Sequence, residues 1–160
     1  MEAHSVRGRI WRYGPVIIWM AFILLASSSG FSAINTSRII RPLLVWFFPD
    51  ITEERIKLTH FLVRKAAHVT EYAILGWLTA RALSTSSQKY LRQGWFLAGL
   101  LPILSVALVD EYHQSFVPSR TASVYDSAID IAGGLLGLLA FAYLRHRIIG
   151  GRTSAYSPRE

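Results

Sequence analysis

Apolar residues in this chain are gathered into long blocks closed off by charge, and that distribution constrains the fold more than any motif does. Four blocks can be marked, at about 15–34, 66–83, 94–116 and 124–144, with tails at 1–14 and 145–160. Each approaches the roughly 20 residues a helix needs to cross about 30 Å of hydrocarbon. Period-two alternation and hairpin signals are almost absent, so an all-β chain fits poorly. A content of 52% hydrophobic and 17% charged residues would also suit a packed soluble domain, and the block pattern decides against it. The sequence therefore predicts an all-α membrane protein: one domain over residues 1–160, built as a four-transmembrane-helix bundle.

A formal net charge of +7 would suggest nucleic acid in a soluble chain, but the basic residues track the ends of the blocks. Arg7, Arg9 and Arg12 precede the first; Arg81, Lys89 and Arg92 lie between the second and third; Arg145, Arg147, Arg152 and Arg159 follow the fourth. The positive-inside bias makes these groups cytoplasmic and puts both termini on the inner side of the cell membrane. The other side carries Arg38, Arg41, Arg55, Lys57, Arg64, Lys65 and Arg120 among Asp50, Glu53 and Glu54, so the bias is moderate. No nucleic-acid fold motif or aromatic-basic patch lies outside the blocks, which excludes nucleic acid as a partner. Cysteine is absent, which excludes disulfides and thiolate metal sites.

The basic N-terminus leading into the first block reads as a retained anchor rather than a cleaved signal, since the apolar run continues through Phe31 and Ile34. Pro15 suits the first turn of that helix, and Ser27, Ser28 and Ser29 are small residues suited to close helix contact. Between the first and second spans, Ile39–Pro49 is too short to cross and is bracketed by prolines, as expected for an interfacial segment. Asp50 with Glu53 resembles a capping box opening an amphipathic helix from Ile51 onwards.

Ionisable residues inside the blocks carry the functional signal, because such groups are costly in a membrane. On the second span Arg64, His68, Glu71 and Leu75 share a stripe, bordered by Lys65 and Tyr72. The third carries Pro102, which should bend it, and ends with Asp110, His113 and Gln114 on one stripe and Glu111 at its edge. Arg120 follows in the Pro118 turn. Asp126, Asp130, Gly133, Gly137 and Ala140 form one stripe of the fourth span, where the acids must face the bundle together with a GxxxG contact. Spans of alternating direction thus gather five carboxylates, two histidines and three cations towards the extracytoplasmic face. The bland alternatives are a structural histidine at a helix end, surface cations and simple helix packing.

The segments RKAAHVTEYAILGWL and DEYHQSFVPSRTASVYDSAIDIAGGLLG resemble the VanZ-like family, through its K-x-x-H-x-x-E-Y and D-E-x-x-Q-x-F-x-P-x-R…D…G-x-x-x-G patterns. The resemblance covers most of residues 15–144. It implies a small multi-pass membrane protein, with a namesake linked to teicoplanin resistance, and hence a link to glycopeptide susceptibility. The motif positions it implies are Lys65, His68, Glu71, Tyr72, Asp110, Glu111, Gln114, Arg120, Asp126, Gly133 and Gly137; Asp130 departs from the Asn expected in many relatives.

Three functions fit these residues. One is an envelope protein binding an anionic lipid or lipid-linked precursor, with Arg64, Lys65 and Arg120 holding phosphate and Arg120 as the clamp. Another is an intramembrane enzyme using His68, Glu71, Asp110, Glu111 or Asp126 for acid-base or metal-assisted work on such a lipid. The third is a scaffold or conduit with a buried charge network. No nucleophile elbow, P-loop, dinucleotide fingerprint or HExxH is present, which favours binding over catalysis. No cofactor follows from the sequence, although His68, Glu71, Asp110, His113 and Asp126 are compatible with a divalent metal. The acids outnumber the nearby bases, so they are expected to share protons or a cation.

Overall fold

The computed structural model describes residues 6–27, 33–116 and 124–154, and among them the chain is helical and has no strand. Its helices are α1 (Val6–Ala26), α2 (Ala33–Phe47), α3 (Glu53–Ser84), the short α4 (Lys89–Gln93), α5 (Trp95–Ser115) and α6 (Val124–Ser154).

Glycine decides which helices lie closest. A Cβ added to Gly76 of α3 would stand 2.1 Å from the Gly134 carbonyl oxygen, and one on Gly137 of α6 would stand 2.0 Å from that of Ala73. At Gly133 the obstacle is the Val69 carbonyl oxygen, 2.6 Å away. The two backbones therefore touch without intervening side chains, in the manner of small-residue helix pairs in membranes. Val69 meets Gly133 and Ala73 meets Gly137, so α3 and α6 run parallel. Helix α5 runs antiparallel to both: Ile103 fills the space over Gly134, and Leu138 reaches Gly99. Around this contact lie Tyr72, Leu75, Ile103, Val106, Ala107 and Leu138, all nearly inaccessible, with Val16 and Ile23 of α1 joining the same core.

Three helices are long and apolar enough to cross a membrane: Val6–Ala26, Trp95–Ser115 and the Tyr125–Ile148 part of α6. Their outer faces expose Ile17, Ile18 and Leu25, then Leu97, Leu101 and Leu108, then Leu136 and Leu139. Apolar surface on this scale suits lipid and not water. The chain is accordingly a membrane-type helical protein. Helix α3, in which the expected amphipathic helix and second span form one continuous helix of 32 residues, falls outside that set because even its more apolar half carries His68, Thr70, Glu71 and Arg81.

Several local expectations need correction. Pro15 lies in the middle of α1, not in its first turn. A proline leaves the carbonyl four residues earlier without its helical donor; that carbonyl belongs to Trp11, and Arg81 Nη2 donates to it at 3.3 Å. A distant side chain thereby supplies the missing bond. Most of the segment placed at Ile39–Pro49 belongs to α2, which starts earlier at Ala33, contains Pro42 and ends at Phe47, short of Pro49. The N-cap of α3 is Thr52, which accepts from the Arg55 amide at 3.4 Å, and Asp50 lies outside the helix. Helix α6 extends through Ser154, so much of the expected tail is helical. Ser28, Ser29 and Pro118 to Arg120 lie outside the described residues.

The end of the bundle holding the basic residues is tied by hydrogen bonds. Tyr13 and Ser86 hydroxyls are 2.9 Å apart, Arg92 Nη1 donates to the Ser86 carbonyl at 3.0 Å, and the Gln88 amide donates to Ser86 Oγ at 3.2 Å. Ser86 is about 24 Å or more along α3 from His68 at 1.5 Å per residue. That separation is close to the thickness of a hydrocarbon core.

Candidate functional site

At the other end, α3 and α6 begin their close contact and α5 finishes. The parallel register set by the glycines puts His68 of α3 beside Asp130 of α6, with Nδ1 and Oδ1 3.1 Å apart. Antiparallel α5 brings in Asp110 from the third side. His68, Asp110 and Asp130 each offer a ligand atom, and those atoms all lie within 4.8 Å of one another. This is a compact centre of two carboxylates and an imidazole.

The centre is dry. Asp110 is 0% and Asp130 3% exposed. Gln114, one turn on from Asp110, donates from Nε2 to Asp110 Oδ2 at 2.8 Å. The Ser27 side chain at the end of α1 interacts with the same carboxylate, yet Asp110 Oδ1 has no hydrogen-bond partner. Tyr72 is also fully buried and its hydroxyl is likewise unpartnered. Buried polar atoms of native proteins are ordinarily satisfied, and an ionised carboxylate left unpaired is among the costliest exceptions. The geometry can thus hold a proton or a cation between His68 and the two acids, with Tyr72 as a further donor.

Above the centre lies a rim. Lys65 forms an ion pair with Asp126, both side chains being about one-fifth exposed at 21% and 23%. Lys65 also stands over the Phe61 ring, 5.3 Å from its centroid. Arg64 is half-buried and makes no ion pair among the described residues. Glu71 and Glu111 are half-buried at the margins, and His113 is exposed. Glu71 contributes its backbone too, since its carbonyl accepts from Trp19 Nε1 at 2.8 Å, tying α1 to α3.

The sequence-derived residues are therefore split. Lys65, His68, Tyr72, Asp110, Gln114, Asp126 and Asp130 form the centre and rim; His113 turns away, and Ala140, placed on the same stripe as the α6 acids, is exposed. Arg120 lies outside the described residues. Among the acids compatible with a metal, Asp126 is engaged by Lys65, and it is Asp130 that joins His68 and Asp110. Sequence reasoning favoured packing for Ser27 over a hydroxyl lining a cavity, and its place among three serines offered no sign of a carboxylate neighbour. Trp19 carried no signal either, because the register of α1 on α3 is not written in either helix alone.

Beside the rim is an apolar pocket of about 630 Å³ between the end of α2 and the start of α3, lined chiefly by Leu44, Phe47, Phe48, Ile51, Leu58 and Leu62. Leu62 precedes His68 by less than two turns of the same helix, about 9 Å of rise. Apolar pocket and polar centre thus share one end of the molecule.

A family model described as VanZ/LLP1 matches residues 13–145, a range that includes every residue of the centre and rim. No curated protein matches the chain, and no solved structure does.

Proposed function

The chain belongs to the VanZ/LLP1 family, and from that premise we propose that it is an integral cell-membrane protein that holds an anionic lipid or lipid-linked envelope precursor at the extracytoplasmic end of its bundle. The observation that carries this reading is the placement of an apolar pocket of about 630 Å³ next to a charged rim and a buried polar centre. A lipid needs both, since its chain seeks apolar surface and its phosphate seeks cations. Arg64 has no competing ion pair among the described residues and can meet two phosphate oxygens with parallel hydrogen bonds. Lys65 can exchange Asp126 for phosphate, and Arg120, four residues before α6 in the sequence, is the third candidate cation. An effect on glycopeptide susceptibility would follow from occupying such precursors.

Binding to purified protein in micelles is measured by native mass spectrometry with phosphatidylglycerol, a polyprenyl phosphate and zwitterionic phosphatidylcholine. The anionic lipids are expected to be retained over phosphatidylcholine, and an Arg64→Gln/Lys65→Gln double variant is expected to lose roughly tenfold in affinity, a cost typical of one or two charge-assisted contacts. Equal retention of all three lipids, or unchanged binding by the double variant, would refute the reading.

The proposed orientation, both termini cytoplasmic, rests on reading α3 as a fourth crossing. Helix α3 is matched to α6 from Val69 to Trp77 backbone against backbone, so it shares the depth of a helix that is itself long and apolar enough to span. An even number of crossings returns both termini to one side, and the Arg groups make that side cytoplasmic. Ser86 is unsuitable for a reporter because it is 1% exposed and hydrogen-bonded. Exposed Ser87 and Lys57 serve instead: single cysteines there are expected to label from the inside and the outside respectively. Labelling of both from one side would leave the four-crossing topology without support.

A further inference from the structure

We propose that His68, Asp110 and Asp130 bind one divalent cation of the zinc or manganese class. The centre is the one described above, but the inference does not depend on a lipid occupying the pocket. Two buried polar atoms point to a ligand. Asp110 is 0% exposed and its Oδ1 has no hydrogen-bond partner among the described residues, while the other oxygen is held by Gln114. Tyr72 is 0% exposed and its hydroxyl, from the helix that carries His68, is also unpartnered.

Geometry and charge agree. Metal–ligand distances of about 2.1 Å put neighbouring tetrahedral ligand atoms about 3.4 Å apart. His68 Nδ1 and Asp130 Oδ1 already stand at 3.1 Å, and all three ligand atoms lie within 4.8 Å. Small side-chain adjustments close the set without moving a helix. A neutral imidazole and two carboxylates balance a dication in charge. Lys65 pairs with Asp126 at the rim and with neither acid of the centre.

The donors select the class of ion. One imidazole nitrogen with two carboxylate oxygens suits zinc or manganese better than calcium, which takes six to eight oxygens, or thiophilic metals, which need sulfur. Gln114 orients Asp110 as outer-sphere partners orient metal ligands. Three protein ligands leave coordination positions open, and a water in one of them supplies the acceptor that the Tyr72 hydroxyl lacks.

The test uses the full chain in lipid-free detergent micelles, stripped with a chelator and dialysed against zinc or manganese, with bound metal counted by mass spectrometry. About one cation per chain is expected, as for other three-ligand sites. Asp110→Asn and Asp130→Asn are each expected to weaken uptake by roughly tenfold or more, the scale set by losing a ligand or its orienting shell. His113→Ala, at an exposed histidine of the same helix end, is expected to leave uptake unchanged. Circular dichroism establishes that each variant keeps its helices; should either fail to fold, a chelator-reversible rise in the melting temperature of the unaltered protein on adding the metal provides the second measurement. Substoichiometric metal with no thermal shift, or uptake by the folded Asn variants equal to that of the unaltered protein, overturns the site. Lipid is absent throughout, so failure here leaves the lipid reading standing, and failure of the lipid experiment leaves this one.

Discussion

Gly137→Leu is expected to prevent assembly of the bundle. A single Cβ at this position would stand 2.0 Å from the Ala73 carbonyl oxygen and 2.9 Å from the Trp77 amide nitrogen. Neither obstacle is a side chain that can rotate away; both belong to the α3 backbone. The helices must separate, and the loss extends to Ile103 and Leu138, which pack against the same contact. Overpacking of this kind costs about 3 kcal/mol or more. The separation also breaks the 3.1 Å approach of His68 to Asp130, so stability and site are lost together. Gly76→Leu should behave in the same way, being 2.1 Å from the Gly134 carbonyl oxygen. Gly14→Ala provides the contrast: its Cβ would meet nothing beyond its chain neighbours nearer than an Ile10 methyl at 3.9 Å, so the bundle is expected to assemble, with at most a local cost from the following Pro15. Yield and melting temperature of detergent-purified protein read all three. A Gly137→Leu protein that melts within a few degrees of the unaltered one would show that α3 and α6 are not in backbone contact.

The same comparison marks the limit of what the sequence discloses. Helical spacing alone places Asp126, Asp130, Gly133 and Gly137 on one face of α6, because that relation lies within one helix. It places His68 and Glu71 on one face of α3 for the same reason. Which of those two meets α6 depends on the register between helices, and the register is set where Gly76, Gly133 and Gly137 let the backbones fit. No periodicity within either helix contains it. The pairing of His68 with Asp130, and of Lys65 with Asp126, was therefore out of reach. Pro15 shows the same limit at the other end: its local chemistry argues for a helix start, and the Arg81 guanidinium that makes it tolerable inside α1 lies far along the chain. The cap of α3 is a purely local miss, since Asp50 and Thr52 are both able N-cap residues and only the turn geometry selects Thr52.

Asp110→Asn is expected to raise the stability of the metal-free protein while removing its function. In the unaltered chain, a carboxylate with no access to solvent has one oxygen bonded to Gln114 and the other without a partner, close to the second acid Asp130. The amide keeps an oxygen for Gln114 and adds an N–H₂ that can donate towards the Asp130 carboxylate. It also removes an acid whose charge or shared proton the bundle must accommodate away from water. Replacing buried charge by a neutral group of the same shape is often stabilising, here by about 1–2 kcal/mol, which corresponds to about 3–6 °C for a chain of this length. Function moves the other way: a neutral amide cannot serve as the second anionic ligand of a cation, nor share a proton with Asp130. Such opposition between stability and activity is characteristic of groups retained for what they do and not for the fold. If Asp110 were instead a structural counter-ion of His68, its loss would strand a buried imidazolium and the melting temperature would fall. The sign of the shift in chelator-treated protein therefore separates the two roles. A fall would make Asp110 part of the scaffold, and a rise accompanied by lost cation uptake would place it in the working centre.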